Sequence, residues 1–150
     1  MPAATSLSAW RQRFAGLPPV TGPVSPCFFR AGFVGPAWLC RIAPGAVALG
    51  GLPGWAGKRF TTPGLAVNVL EGGDGLREVM PMRVAQGVSL LDDRPALVLI
   101  YGAGSPLLWR RVRDELRVLD AERWLGMTVI DVPGLRRLGW PFLLTRVPGT

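Results

Sequence analysis

The chain has 150 residues, is 49% hydrophobic and has a mean hydropathy of +0.29; this is the size of one domain, read here as residues 1–150, with a core large enough to need no covalent staples. It has no histidine and only two cysteines, Cys27 and Cys40, both set among apolar residues, which argues against a conventional zinc site, histidine-ligated haem, a Ser-His-Asp triad and a disulfide framework, so no cofactor and no metal is expected. The net charge of +7 is nearly all arginine, with Lys58 the one lysine, and the arginines are spread along the chain rather than gathered beside stacking aromatics, so no nucleic-acid partner is expected.

In chain order, residues 5–15 read as a helix. Thr5 or Ser6 can cap it, Leu7, Trp10 and Phe14 share a face, and Gly16 with Pro18 and Pro19 stops it. Its expected place is over a sheet. Residues 17–36 are loop-rich, with a short extended piece at 27–34, and Ala37 to Arg41 read as one strand or a helical turn. The uncharged stretch 42–57 holds two Pro and five Gly, which spoil a spanning helix, and the N-terminus lacks an apolar signal core; a cytoplasmic protein with no membrane contact is expected. LGGLPGWAGKRF (49–60) reads as a tight turn entering a strand, with Trp55 between glycines that permit positive φ and close backbone approach. It lacks the spacing of a phosphate loop.

The stretch from Leu65 to Tyr101 organises the rest. Short apolar runs are separated by EGGDG (71–75), AQG (85–87) and DDRP (92–95), the pattern of an antiparallel meander. Alternation places Leu76, Glu78, Met80, Met82 and Val84 on one face of 76–84 and Arg77, Val79, Pro81 and Arg83 on the other; the first face reads as inward. Asn68 falls mid-strand in 65–70, where its amide needs partners. Leu97, Leu99 and Tyr101 share a face, and the Tyr101 phenol needs a partner if buried. SPLLWRRV (105–112) reads as a short helix capped by Ser105, and Leu116–Leu119 and Trp124–Asp131 as a hairpin about a turn at 120–123. In 124–131, Leu125, Met127, Val129 and Asp131 share one face, and Trp124, Thr128 and Ile130 the other. Residues 131–140 are a loop and 141–147 a closing strand. The sum is a mainly β fold: seven or eight short antiparallel strands in a small closed barrel, an N-terminal helix, and one short helix before the last three strands.

At Gly54–Phe60, GWAGKRF, the chain resembles the small bacterial proteins of the GXWXG / DUF4334 family. Leu17-Pro18-Pro19-Val20 is similar to their opening segment, and Val79-Met80-Pro81, Val98 to Tyr101, Leu125-Gly126-Met127 and Pro141 to Arg146 follow in the same order. Where the family's Gly-x-Trp-x-Gly stands, this chain has Cys27-Phe28-Phe29-Arg30-Ala31. The resemblance implies a lipocalin-like barrel and hydrophobic-ligand binding, and carries no settled activity.

The expected function is binding of a small hydrophobic or aromatic molecule inside the barrel, by Trp55, Lys58, Phe60, Asn68, Met80, Met82, Leu99 and Met127. The alternative is a cofactor-independent acid–base enzyme, an isomerase, lyase (dehydratase or hydratase) or cyclase. Glu78 and Asp131 are then the carboxylates, Tyr101 the hydrogen-bond donor, and Lys58 or Arg59 the electrostatic stabiliser. A third reading is an interaction protein with an apolar patch around Trp38 and Leu39 or 135–140, and the high hydropathy is compatible with a homodimer.

Overall fold

The computed structural model describes residues 6–102 and 104–149; Thr5, the alternative helix cap, lies outside them. Eight antiparallel strands close in sequence order into a barrel: β1 (Cys27–Phe33), β2 (Trp55–Phe60), β3 (Leu65–Gly72), β4 (Gly75–Val88), β5 (Pro95–Tyr101), β6 (Val112–Val118), β7 (Arg123–Ile130) and β8 (Trp140–Arg146). The ladder between β1 and β8 closes it, running from Phe29 opposite Arg146 to Phe33 opposite Phe142. No helix among the described residues is long and apolar enough to cross a membrane.

Helix α1 (Leu7–Ala15) starts at Ser6, whose hydroxyl accepts from Ala9 N at 3.0 Å. It packs on the outside of the wall, with Phe14 against Leu125, Met127 and Val129. Those three residues therefore face away from the barrel interior, while Trp124 and Ile130 belong to the interior core. Met127, expected in the ligand site, lies under α1 instead.

Helix α2 (Ala37–Leu49) takes in residues 37–41, which read as one strand or a helical turn; the strand alternative does not hold, and the helix runs eight residues further. Pro44 and Gly45 mask it in the sequence, because proline within a helix removes a donor and glycine weakens it. The helix has no charge besides Arg41, and Leu39, Ala43, Ala46 and Val47, at helical spacing, turn one face to the barrel mouth. The segment read as a short helix at 105–112 is a 3₁₀ helix at Leu107–Arg111, and β6 begins at Val112, four residues before the expected strand.

The turn expected at 85–87 is absent. β4 is a single strand of 14 residues, broken in register opposite Ala66 and Asn68: Met82 pairs with Ala66 but Val79 pairs with Asn68. Met80 takes φ of +48° there, and Pro81 has no N–H for the ladder, the conditions of a bulge. One extra residue exchanges the two faces of a strand. Below the bulge Met82 and Val84 point inward as expected; above it Val79 shares the face of inward-facing Asn68, and Glu78 is turned out.

The lower half of the interior is filled. Phe29 stacks on Trp124 with centroids 4.4 Å apart, and Phe60 meets both edge-on at 5.7 and 5.6 Å. Leu97, Leu99, Leu116 and Leu144 pack into the same core. An apolar cavity is left toward the α2 end.

Candidate functional site

Antiparallel connections alternate between the barrel's two ends. The β1–β2, β3–β4, β5–β6 and β7–β8 connections share one end, the upper end, and α2 lies across it. Beneath α2 is a cavity of about 310 Å³. Its upper wall is Trp38, Leu39, Ile42, Ala43, Ala46 and Val47 of α2, its sides include Phe33, Leu52, Trp55, Trp109, Trp140 and Phe142, and its floor is Lys58, Tyr101, Asp114 and Thr128. Trp109 holds the 3₁₀ helix to the end of α2 by donating its indole N–H to the Gly50 carbonyl.

The GWAGKRF segment builds one side of this site. Gly54 has φ of +68°, and a Cβ there would lie 2.3 Å from the Glu71 carbonyl oxygen; only glycine admits the turn that brings Trp55 over the mouth. A bulge between Trp55 and Gly57 then lets Trp55 and Lys58 both face the interior. At Gly57 a Cβ would stand 2.0 Å from the Phe29 carbonyl oxygen.

Lys58 is 1% exposed. Its Nζ lies 2.8 Å from Asp114 Oδ2, donates to Asn68 Oδ1 at 2.9 Å, and sits 3.4 Å from both the Tyr101 hydroxyl and the Met82 sulfur. Three aromatic rings, Trp55, Tyr101 and Phe142, stand 5.4–5.9 Å from it by centroid. Asp114 is as enclosed; its other oxygen accepts from the Thr128 hydroxyl at 3.0 Å. Asn68 is satisfied on both sides, accepting from Trp55 Nε1 at 3.1 Å and donating to the Tyr101 oxygen at 3.2 Å and the Met80 carbonyl at 3.3 Å. A buried charge persists only when paired and hydrogen-bonded, and here every polar atom of the group has a partner.

Burial works against the Lys58 ammonium, but the Asp114 carboxylate and the Tyr101 oxygen outweigh it, so its pKa lies above the ordinary lysine value. Burial pushes the Tyr101 phenol up to about 12. At neutral pH the floor therefore holds an ammonium and a neutral phenol, both hydrogen-bond donors, beside a carboxylate.

Of the residues expected in a ligand site, Trp55, Lys58 and Tyr101 line the cavity. Asn68 and Met82 hold Lys58 from behind, Phe60 and Leu99 belong to the filled core below, and Met80 packs at the rim with its carbonyl on Asn68. The two expected carboxylates lie elsewhere. Glu78 is half-exposed on the outer wall, 3.0 Å from Arg59 Nε, an ion pair too bent to be a hydrogen bond; the bulge at Met80–Pro81 put it there. Asp131 lies beyond the end of β7, half-exposed, 3.4 Å from Arg136, because its face of β7 is the outer one. Arg59 is turned outward with Glu78. Neither cysteine reaches the site: Cys27 is buried in the lower core, its thiol pKa raised by that burial, Cys40 is half-buried, and both are free.

Asp114 and Thr128 carry the chemistry that the sequence reading missed. A signal for Asp114 was present. In Val112–Val118 alternation gives Val, Asp, Leu, Val on one face and Arg, Glu, Arg on the other, an aspartate inside an apolar column. It was hidden because 105–112 read as helix and the strand as starting at Leu116. Among the described residues there is no group of three or more His, Cys, Asp or Glu that could hold a metal ion.

No family model matches the chain, and no curated protein does. A solved structure, the crystal structure of a protein from Thermomonospora curvata, is similar to it over 96% of this chain and 89% of that one, with a TM-score of 0.69 and 20% sequence identity. At that identity the likeness shows the fold alone, and it supports the barrel.

Proposed function

We propose that the barrel binds a small, largely apolar, uncharged molecule and receives a carbonyl or hydroxyl oxygen of it at Lys58. The observation that carries this reading is a cavity with walls of tryptophan, phenylalanine and aliphatic side chains that narrows onto a Lys58–Asp114 pair at 2.8 Å. Its volume is at the low end for small-molecule sites, which are mostly apolar with a few placed polar groups. The pair sums to zero charge. A ligand carboxylate would bring an uncompensated negative charge into a buried site already balanced, which is costly, whereas a neutral oxygen can share an N–H of Lys58 or the phenol of Tyr101 at little cost.

Trp38, Trp55, Trp109 and Trp140 line the cavity and report on its occupancy. The test is native mass spectrometry of the purified protein, followed by tryptophan-quenching titrations with matched ketone, alcohol and carboxylate forms of the same cyclic skeletons. The expected result is saturable one-to-one binding, with the ketone or alcohol at least tenfold tighter than the carboxylate. Tighter carboxylates, or no binding across the set, overturn the reading.

A second reading rests on the same floor. Asp114 is a carboxylate beside a cation and a phenol inside an apolar cavity, the set needed to move a proton next to a ketone. Asp114 would take a proton from the carbon beside the carbonyl, Lys58 and Tyr101 would stabilise the enolate oxygen, and the proton would return to another carbon of the conjugated system. This is an isomerisation that needs no co-reactant. In deuterium oxide, an enzyme of this kind exchanges the α-hydrogens of a bound ketone, and Asp114→Asn stops exchange while binding persists. A pure binding module shows no exchange above buffer in either form.

A further inference from the structure

We propose that the upper end of the barrel docks on an anionic lipid bilayer, with α2 and the 3₁₀ helix against the lipid. Ten large hydrophobic side chains are exposed among the described residues, and seven of them, Trp38, Ile42, Leu49, Leu107, Leu108, Leu135 and Leu138, belong to connections at this end. Leu49 is 93% exposed, Leu107 75% and Leu108 69%. Gly50, next to Leu49, and Trp109, next to Leu108, are joined by the indole hydrogen bond, so exposed leucines of the two segments flank one contact. On α2, Trp38, Ile42 and Leu49 recur at helical spacing along one stripe, with Arg41 beside it. A patch of this kind on a chain with a filled core marks a binding surface.

Charge distinguishes the occupant. The upper connections hold Arg41, Arg110, Arg111, Arg136 and Arg137 against Asp74 and Asp131. The lower connections hold Arg94 against Asp92, Asp120 and Glu122, with Asp93 carried along the outer wall to Arg137 where the β4–β5 and β7–β8 connections meet. Arg136 and Arg137 are paired with Asp131 and Asp93, but Arg41, Arg110 and Arg111, the cations of α2 and the 3₁₀ helix, form no ion pair among the described residues. Exposed leucines and a tryptophan interleaved with unpaired arginines are what an anionic membrane surface takes up. A second copy fits less well, because a two-fold interface through this face would set the same arginines against each other. The surface also roofs the cavity, since Trp38 and Ile42 belong to both, so docking would open the apolar site toward lipid rather than water. Sequence alone points to pieces of an apolar patch, around Trp38 and Leu39 or 135–140, but not to a membrane, because the patch joins segments that are distant in the chain.

The experiment is co-sedimentation of the full chain with phosphatidylcholine vesicles, with and without phosphatidylglycerol, at two salt concentrations, read alongside ligand quenching and analytical ultracentrifugation. Expected is binding to the anionic vesicles that weakens with salt and falls about fivefold for each arginine neutralised in Arg110→Ser and Arg111→Ser. Leu107→Glu/Leu108→Glu, at exposed positions outside the cavity lining, should abolish vesicle binding while circular dichroism and ligand affinity stay at wild-type values. Equal binding to neutral and anionic vesicles, no binding to either, or a dimer that the leucine variant dissociates in the absence of vesicles overturns the proposal. Because ligand affinity is measured separately, failure here leaves the cavity reading standing, and failure of the cavity reading leaves docking to be judged on vesicles alone.

Discussion

Strand β6 carries two buried charge clusters on opposite faces of one wall, and they are built for different ends. Asp114 points inward, to Lys58, Thr128 and Tyr101, and its cluster borders a cavity. Its neighbours Glu115 and Arg117 point outward and are equally buried, under α1 and the β4–β5 connection. Glu115 accepts from the Ser89 hydroxyl at 2.5 Å, from Leu90 N at 2.8 Å and from Arg113 at 2.8 Å. Arg117 grips Asp92 with two nitrogens at 2.6 and 2.8 Å, donates to the carbonyls of Phe14, Arg94 and Pro95, and lies 4.4 Å from the Phe14 ring centroid. The outer cluster divides its bonds between side chains and the backbone of the loop and helix it clamps. The inner one bonds side chain to side chain and leaves a donor-rich floor facing empty space. A buried charge that fastens main chain is structural; one that bonds only other side chains beside a cavity is a candidate for function.

The largest effect expected is from Lys58→Met, which leaves Asp114 buried without its cation and should cost about 3–5 kcal/mol in chemical denaturation. The comparison is sharpened by the double variants. Lys58→Met/Asp114→Leu removes both charges and should recover most of that stability without recovering ligand affinity. Arg117→Met should cost about 3 kcal/mol, and Arg117→Met/Asp92→Leu should recover little, because the guanidinium's bonds to the carbonyls of Phe14, Arg94 and Pro95 are lost either way and Asp92→Leu also removes the acceptor of the Arg94 N–H. Full recovery in the outer pair, or none in the inner, would erase the distinction drawn here.

Gly126 tests the cavity wall. A Cβ there would stand 2.2 Å from the Phe142 ring, so Gly126→Ala should move that ring toward the cavity, cost about 1–3 kcal/mol and weaken ligand binding. Unchanged affinity at reduced stability would mean that Phe142 does not shape the bound site.

The smallest effects expected are in pH. Lys58 and Tyr101 both have folded pKa values above their ordinary ones, so what they contribute is complete below the ordinary values of 10.5 and 10.0 and is lost as pH rises through the folded ones. For Asp92, burial raises the pKa, but the bonds from Arg117 and the Arg94 N–H hold it below the ordinary 3.8; its contribution is complete above that value and is lost as pH falls toward the folded one. Hydrogen exchange should therefore show the cavity floor loosening first in alkali above pH 10 and the α1 clamp first in acid below pH 4. The Lys58→Met/Asp114→Leu variant should lose the lysine part of the alkaline response and keep the acid one.

The barrel was legible because short alternating runs with Gly, Asp and Pro between them leave little choice but antiparallel neighbours, and Asn68 and Tyr101 announced themselves as polar groups that burial obliges to pair. GWAGKRF was legible as a turn that needs its glycines and places Trp55 and Lys58. Three things were not. The bulge at Met80–Pro81 moved Glu78 to the outer wall, since a period of two carries no memory across an inserted residue. The side of β7 that faces inward depended on which face α1 covered, and that sent Met127 and Asp131 outside. Helix α2 was hidden by its own Pro44 and Gly45, and exists because it roofs an apolar mouth rather than because its residues favour helix. By itself, then, the sequence determined the class of fold and the residues that must be paired if buried. Only the tertiary structure decided that Asp114 is the partner of Lys58, because that pairing depends on strand register and barrel closure, which bring together residues from opposite walls.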